Sequence, residues 1–451
     1  MRLSLGEEPV IRGQRSPVVV RRRGEKVLIH SDRFGAHPIY YSRQGTSFRV
    51  ATSLKVLASE GLLRMNSEVV ESYMQGEPLG ADTFFVGVRQ LLPRRLISWD
   101  HGAVSISRRP LLPPADPDQF LSRLRQAVQQ MAPAAVLLSG GLDSAVLLAL
   151  LAEVGGVTSA WSVNDGGMDG DLERARELAR QFKVDHHVVR LSEEQLVEGF
   201  EAAVLACEAP IFNHRAVSKF LLYKEAAKNG VTRLLSGVGA DEVLMGNPAA
   251  MAATGLPTPI QQRRRLVDTV FREATLPLEC TAGIGAAVEV CLPYLAEEVV
   301  AAGWYADEKM LLDNPIRGRR ATEADSKHRF PVLESRPTEP GGPGVNRELG
   351  KRLLRRAVRG LVPDSIRNQA KVARLAPPAS DVWNDLIQAW LSKERLHAIG
   401  LDSAAAGVNH ELRITTAAEM PMLMTLTSLS VLGEHLCASK PCLRKHGSSM
   451  E

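Results

Sequence analysis

The alternation of apolar and polar residues predicts a β-rich first part of the chain. From Pro17 to about Ser107, short alternating or β-branched runs are separated by turn residues. These runs are V-V-V-R, K-V-L-I-H, P-I-Y-Y, S-F-R-V-A and L-I-S-W-D. Only Leu54 to Glu60 and Ser67 to Met74 show a helical pattern among them.

Residues 107–118, S-R-R-P-L-L-P-P-A-D-P-D, interrupt this pattern. Proline disfavours the interior of both helices and sheets, so this stretch is the best candidate for a linker. We place the domain boundary here, with one domain over residues 1–112 and a second over residues 118–451.

After the linker, helical and β-like stretches alternate, which predicts parallel βαβ units. The helical stretches lie at about 118–131, 142–154, 170–183 and 193–206. The strands lie at 134–138, 157–163, 186–191 and 232–235. Beyond Gly246 the chain is predicted to be mostly helical and irregular, and Glu334 to Asn346 reads as a functional lid or a disordered loop.

The stretch V-L-L-S-G-G-L-D-S-A-V-L, residues 136–147, predicts a phosphate loop between a strand and a helix. Gly140 and Gly141 let the backbone approach an anion, which the start of the following helix attracts. Asp143 fits beside phosphate if a magnesium ion bridges the two. A bare S-G-G would be interpreted as a simple turn, whereas the full motif after a buried strand indicates nucleotide binding.

A second strand-end turn, L-L-S-G-V-G-A-D-E at 234–242, places Asp241 and Glu242 after a short buried strand. Alone it would be interpreted as a turn with a helix-capping Asp. Ligands of a parallel sheet bind beyond the carboxyl ends of its strands, so two such loops together predict a second carboxylate for magnesium.

The stretch N-R-E-L-G-K-R-L-L-R-R-A-V places Lys351 and Arg355 four residues apart, on one face of a predicted helix. A cation there could neutralise a leaving pyrophosphate or an acyl oxyanion. A basic amphipathic surface helix is the alternative.

Composition is that of a globular protein, with 45% apolar and 24% charged residues among 451. The net charge of +4 is too small to argue for nucleic acid, and the local arginine clusters are interpreted as solvated faces. Five cysteines in no zinc-type spacing fit a reduced, cytoplasmic protein. Neither a signal peptide nor a membrane-spanning run is apparent, so no membrane association is expected.

Together these motifs resemble the asparagine synthetase family, which includes β-lactam synthetases and lasso-peptide macrolactam cyclases. The most specific segments are S-G-G-L-D-S at 139–144, S-G-V-G-A-D-E at 236–242, L-P-Y-L at 292–295 and G-K-R-L-L-R at 350–355. The segment D-R-F-G-A-H-P-I-Y-Y at 32–41 resembles the second half of the family's glutaminase domain. The resemblance implies an α/β protein: a truncated, antiparallel β-rich glutaminase-like domain, then a parallel α/β synthetase domain of the ATP-pyrophosphatase type with a helical extension.

The resemblance also implies a reaction, in which a carboxylate attacks the α-phosphate of ATP and an amine then displaces AMP to form an amide. Lys351 would stabilise the charge that builds up in both steps. Three groups of residues receive binding roles: pyrophosphate at Ser139, Gly140, Gly141 and Ser144; magnesium at Asp143 and Asp241; adenosine at Leu137, Val163 and Gly237.

The sequence departs from the family pattern at positions that matter for the chemistry. Position 2 is Arg2 instead of the nucleophilic cysteine, and no cysteine precedes Cys207, so we expect no ammonia from glutamine. Val238 stands where asparagine synthetases have Glu and β-lactam synthetases have Tyr. Glu289 aligns with a catalytic glutamate of β-lactam synthetases and could act as the base, or could simply be a surface residue.

Three further replacements, Cys291, Ala296 and Gln369, make aspartate doubtful as the substrate. We therefore expect an AMP-forming amide synthetase that closes a lactam or macrolactam in natural-product or peptide maturation. Its substrate would be a small-molecule or peptide carboxylate, and its partners would be proteins of a biosynthetic pathway. The alternatives are an asparagine synthetase that uses ammonia and a weakened nucleotide-binding protein that regulates or scaffolds a partner.

Overall fold

The structure is a computed structural model. It describes residues 2–5, 9–12, 19–23, 26–44, 47–59, 63–100, 102–110, 113–166, 169–247, 256, 258–312, 350–369, 380–402 and 420–437. The predicted loop at 334–346 lies outside these residues.

Two antiparallel sheets form the first part of the chain. One has the strand order β2-β1-β6-β5-β7, and the other has the order β3-β4-β8-β9. The strands are β1 Arg2–Leu5, β2 Pro9–Arg12, β3 Val19–Arg23, β4 Lys26–His30, β5 Tyr40–Gln44, β6 Ser47–Ala51, β7 Val88–Gln90, β8 Arg95–Asp100 and β9 Ala103–Arg108. Two short helices, α1 (Leu54–Ala58) and α2 (Ser67–Met74), lie between β6 and β7.

Alternation along the strands produces the core between these sheets. In β4 and β8, every second residue is buried, so that Val27 and Ile29 face inward together with Ile97 and Trp99. They pack with apolar residues of the other sheet, among them Val50 of β6. The predicted antiparallel, β-rich domain is confirmed.

A five-stranded parallel sheet forms the centre of the second part. Its strands are β10 Ala134–Leu137, β11 Val157–Asn164, β12 His186–Arg190, β13 Arg233–Leu235 and β14 Glu289–Cys291, in the order β12-β11-β10-β13-β14. The four strands predicted from the sequence are confirmed. The fifth strand, β14, has only three residues and gives no periodic signal.

Helices cover both faces of this sheet. In chain order they are α3 Phe120–Met131, α4 Leu142–Glu153, α5 Asp169–Gln181, α6 Glu193–Cys207, α7 His214–Lys228, α8 Ala240–Leu244, α9 Pro259–Leu266, α10 Ala282–Gly285, α11 Glu297–Gly303, α12 Glu308–Leu311, α13 Arg352–Ala357, α14 Asp364–Arg367, α15 Asp381–Trp390, α16 Lys393–Ala398 and α17 Met420–Leu436. Two π-helical segments, Val267–Thr275 and Pro277–Thr281, continue α9.

The strand order decides where a ligand can bind. The chain leaves β10 toward β11 and later crosses to β13 on the other side, so the order reverses at β10. Right-handed crossovers place α4 and α5 on one face of the sheet and α6 and α7 on the other. The crevice at the carboxyl ends of β10 and its neighbours is therefore the expected binding edge.

A buried carboxylate joins the two parts of the molecule. Glu208, at the end of α6, has left-handed backbone geometry with φ of 52° and is 7% exposed. Its carboxylate accepts hydrogen bonds from the Ser53 hydroxyl and the Leu54 N–H, both at 2.5 Å, and so caps the start of α1. Burial raises the pKa of Glu208, whereas these hydrogen bonds and Lys55 lower it.

Candidate functional site

The S-G-G-L-D-S motif forms a tight loop between β10 and α4. Gly140 has φ of +75°, and a Cβ atom there would collide with the carbonyl oxygen of Asp171, so only glycine fits. The Ser144 hydroxyl, 3% exposed, accepts a hydrogen bond from the Ser139 N–H at 3.1 Å. The loop thus holds the N-terminus of the twelve-residue α4 open at the carboxyl edge of the sheet, as an anion site requires.

The S-G-V-G-A-D-E motif lies against this loop. A Cβ atom on Gly237 would lie 2.9 Å from Cβ of Asp143, and one on Gly239 would lie 2.5 Å from Leu295. A glycine at 237 is therefore needed for the two loops to touch, and a glycine at 239 is needed for the second loop to pack against Leu295. As a result, Asp241, in the first turn of α8, and Asp143, in the first turn of α4, come within reach of one side chain.

That side chain is Lys351. Its Nζ lies 2.6 Å from Oδ2 of Asp143 and 2.6 Å from Oδ1 of Asp241, and the lysine side chain is 8% exposed. Burial by itself lowers the pKa of Lys351, but the two carboxylates outweigh burial, so the pKa lies above its usual range. The site therefore contains a fixed positive charge between two carboxylates.

Close packing fixes the lysine in place. Lys351 precedes α13 with left-handed backbone geometry, φ 64° and ψ 33°. A Cβ atom on Gly246 would collide with both Lys351 Cε and Asp241 Oδ1, and one on Gly350 would collide with the Met245 carbonyl oxygen. Strained backbone at a buried functional group persists only where its surroundings hold it, as these glycine contacts do.

Tyr294 contacts the S-G-G-L-D-S loop from a neighbouring segment. The side chain is fully buried, and its hydroxyl donates a hydrogen bond to the carbonyl oxygen of Asp143 at 3.1 Å. Burial, together with Asp143 and Asp241, raises the pKa of Tyr294. The sequence showed Tyr294 within L-P-Y-L but gave it no role, because its partner is 151 residues away.

Most of the predicted binding residues lie at this edge. Leu137 ends β10 and Val163 is the penultimate residue of β11; both are half-buried, as is Gly237, the second residue after β13. Their positions beside the loops remain consistent with the predicted adenosine role. The predicted helical face with Lys351 and Arg355 is wrong, because Lys351 precedes the helix and Arg355 donates to the carbonyl oxygens of Gly350 and Arg367.

Glu289 does not lie in the site. It is the first residue of β14, so it stands at the amino ends of the parallel strands, opposite the loops. Its side chain is 61% exposed and pairs with Arg233, the first residue of β13, at 3.0 Å. The expectation that Glu289 replaces the base missing at Val238 is therefore corrected: the geometry of β14 gives it a surface ion pair.

Two polar clusters on α7 escaped the sequence analysis. In the first, fully buried Glu279 pairs with Lys219 and accepts hydrogen bonds from the hydroxyls of Tyr223 and Ser236, at 2.9 and 3.0 Å. In the second, Asp165, directly after β11, accepts from Ser218 at 2.6 Å and lies 3.7 Å from Nε2 of His214. No local pattern could reveal either cluster, since Glu279 lies 60 residues from Lys219 and Asp165 lies 53 from Ser218.

The second cluster makes stability depend on pH. Burial lowers the pKa of His214 to about 4; the neighbouring Asp165 raises it, and Arg215 lowers it further. Because the folded pKa lies below the usual 6.5, the unfolded chain binds the extra proton between pH 6.5 and 4. The stability from neutral His214 is complete above pH 6.5 and falls with pH through this window, by on the order of 3 kcal/mol.

Urea denaturation at pH 7 and pH 4.5 measures this effect. His214→Gln should show a smaller loss of unfolding free energy between the two pH values than the wild type. An equal loss in both proteins would contradict a buried, neutral His214.

Asp143 and Asp241 suit a magnesium ion only if the phosphate oxygens of a bound substrate supply further ligands. Among the described residues, no group of three or more His, Cys, Asp or Glu side chains could hold a metal ion. Asp143 and Asp241 nevertheless converge on one cation, the Lys351 ammonium. Mg²⁺ is commonly bound by one or two carboxylates with substrate phosphates, so this pair fits such an ion.

Two family models match the chain. The asparagine synthase family model matches residues 119–282, and the glutamine amidotransferase domain model matches residues 10–109. Amidase chyE of Penicillium rubens is 26% identical over 287 residues, 54% of this chain and 41% of that protein. Glutamine-hydrolysing asparagine synthetase 3 of Bacillus subtilis is 23% identical over 392 residues, 74% of this chain and 62% of that protein.

The NMN synthetase structure from Francisella tularensis covers 29% of this chain and 58% of its own, with a TM-score of 0.23 and 20% identity. The chain spans less than two thirds of the length of either curated relative, at 41% and 62%.

Fold and site together define a protein with a glutaminase-type β domain and a synthetase-type parallel α/β domain. The two family models and the asparagine synthetase relative confirm the resemblance to the asparagine synthetase family that the motifs predicted. Members of this family are ligases that form carbon–nitrogen bonds while ATP is cleaved to AMP. No helix in the described part of the chain is long and apolar enough to cross a membrane.

Proposed function

We propose that the protein is an ATP-dependent, AMP-forming amide synthetase that activates a carboxylate and joins it to an amine, closing a lactam or macrolactam. The observation that supports this most is the Lys351 ammonium, held 2.6 Å from both Asp143 and Asp241 beside the phosphate loop. This buried cation keeps its charge and lies at the sheet edge where the strand order reverses. It is therefore suited to stabilise the negative charge of a phosphoryl group during transfer.

In the first step, a carboxylate oxygen of the substrate attacks the α-phosphorus of ATP and the bond to pyrophosphate breaks. The N–H groups at the start of α4 and the serines of the phosphate loop would bind the leaving pyrophosphate. Lys351 would lie beside the charge that develops there. In the second step, the amine nitrogen attacks the acyl carbon, loses one proton, and the bond to AMP breaks.

Asp143 and Asp241 would hold a magnesium ion together with phosphate oxygens. When bound, this ion neutralises charge that would otherwise repel the incoming carboxylate. The two acidic residues also orient Lys351 through their ion pairs.

The asparagine synthetase alternative receives less support from the residues around the site. Val238, Leu295 and Ala296 are half-buried apolar residues at the edge where the loops meet. These three side chains have no group that could pair with the charged amino group of free aspartate.

Exchange of labelled pyrophosphate into ATP tests the proposal. We expect exchange that depends on an added carboxylic acid and falls by roughly 10²-fold or more in Asp143→Asn, because one carboxylate of the cation site becomes neutral. Asp307→Asn, which changes a surface acid before α12, is the matched control and should retain activity.

Loss of carboxylate dependence, or full exchange in Asp143→Asn, would contradict the proposal. ATP binding without any exchange would favour the second candidate, a nucleotide-binding regulatory protein. The observation that favours this candidate is Val238, which cannot accept a proton at the position where relatives carry Glu or Tyr.

A further inference from the structure

The ion pair of Lys219 and Glu279 lies near the carboxyl edge of the parallel sheet, because Glu279 also contacts Ser236 directly after β13. Glu279 is fully buried, and the Lys219 side chain is 30% exposed, so a buried carboxylate anchors a lysine that is still partly open to solvent. Glu279 also accepts hydrogen bonds from Tyr223 and Ser236, which hold its carboxylate in one orientation. A lysine restrained in this way loses little further freedom when it binds an anion.

The position of this pair relative to the loops follows from Ser236. Ser236 directly follows β13 and opens the S-G-V-G-A-D-E loop; its hydroxyl donates to Glu279 and its N–H donates to the Cys291 carbonyl oxygen at 2.9 Å. The next residue, Gly237, packs against Asp143. Lys219 is therefore linked to the S-G-G-L-D-S loop through a series of contacts that runs from Glu279 to Ser236 and then from Gly237 to Asp143.

Lys219 and Lys351 approach this edge from different sides. Lys219 belongs to α7, which packs on the face of the sheet opposite α4. The phosphate loop opens α4, on the other face, and Lys351 contacts it there. The two cations thus approach the carboxyl edge from opposite faces of the sheet.

Apolar residues also lie at this carboxyl edge of the sheet. Val238, Leu295 and Ala296 are half-buried at the ends of the loops that follow β13 and β14. Cys291, the last residue of β14, is 9% exposed, and burial raises its pKa to about 12, so it stays a neutral thiol. Apart from Lys219, these neighbours offer a substrate only apolar contact.

We propose that Lys219, anchored by Glu279, binds the carboxylate of the acyl substrate, and that this substrate is a monocarboxylic acid with an apolar body next to the carboxylate. This inference rests on the proposed function and names its substrate class. The lysine is a specificity-determining residue, because it offsets the repulsion between the incoming carboxylate and the triphosphate. The apolar residues select a hydrocarbon group and disfavour a free α-amino group.

Carboxylate-dependent exchange with 3-phenylpropanoate, N-acetyl-L-leucine and L-aspartate is the test. We expect at least one of the two apolar acids to support exchange with a KM well below that of aspartate. Lys219→Met should raise the KM for that acid by roughly 10–100-fold, the worth of a charge-assisted hydrogen bond, without changing the KM for ATP. Lys219→Arg should restore most of the affinity.

Two further variants separate binding from folding. Lys219→Met leaves Glu279 without its cation, so the double variant Lys219→Met/Glu279→Gln, which removes both charges, should fold and still show the high KM for the acid. Lys224→Met changes an exposed lysine one turn further along α7 and should leave both KM values unchanged.

The outcomes distinguish this inference from the proposed function. If an acid supports exchange and its KM stays unchanged in Lys219→Met, the inference is wrong and the amide synthetase proposal survives. If aspartate is preferred over both apolar acids, the substrate class is wrong. If none of the three acids supports exchange although ATP binds, the proposed function fails, and the inference fails with it.

Discussion

Replacement of Lys351 by alanine is expected to reduce ATP–pyrophosphate exchange by roughly 10²–10³-fold, the usual effect of removing one preorganised group that stabilises developing charge. The lysine is buried, and its ammonium group is the shared partner of Asp143 and Asp241. Without it, two carboxylates remain close together with no cation between them, and they would repel both pyrophosphate and each other.

Lys351→Arg should also lose ATP–pyrophosphate exchange. Its larger, planar head group does not fit where Gly246 packs against Lys351 Cε. Lys228→Ala removes an exposed lysine that pairs with Glu225 on the surface, and it serves as the control for loss of a positive charge. Near-normal exchange in Lys351→Ala, with a melting temperature like that of the wild type, would exclude the lysine from the chemistry.

Replacement of Gly246 by alanine is expected to reduce exchange nearly as much as Lys351→Ala, although glycine carries no chemistry. A methyl group at this position would collide with both Lys351 Cε and Asp241 Oδ1. Gly246 lies outside the left-handed region of backbone conformation, so alanine brings no backbone strain there. The effect would come from displacement of the ion pair, and both kcat and the affinity for Mg·ATP should fall.

Gly360→Ala is the matched control for this substitution. Gly360 has φ of +79° and open space around it, so alanine there costs about 1 kcal/mol of backbone strain without a collision. We expect Gly360→Ala to lower the melting temperature and retain exchange, and Gly246→Ala to lose exchange at a temperature where it remains folded. Equal exchange in both variants would show that the packing around Lys351 is not critical.

The elements of the parallel sheet could be predicted because their signals are local. The apolar runs of β10 and β11 and the helical pattern of α4 to α6 lie within single windows of sequence, and their predicted bounds agree with the structure to within two residues. The three residues of β14 are too few for a period, so the edge of the sheet was missed.

The candidate site residues differ in how much of their position the sequence could predict. Gly140 and Asp143 could be identified because the loop chemistry depends on neighbours in sequence. Glu289 was misplaced because a motif gives the order of residues along a strand, whereas the structure decides which end of the strand faces the ligand. Lys351 was identified as a cation. Its ion pair with Asp143 could not be predicted, because the two residues are 208 positions apart.

The sequence by itself determined the resemblance to the asparagine synthetase family, the S-G-G-L-D-S loop between β10 and α4, and the βαβ order, since these follow from local periodicity and from glycine and carboxylate residues at strand ends. Only the tertiary structure decided that Asp143, Asp241 and Lys351 share one ion-pair network, that Tyr294 holds the phosphate loop, and that Glu279 anchors Lys219. The reason is physical: burial brings together side chains that are distant in sequence, and a buried charge is stable only where packing supplies its partner.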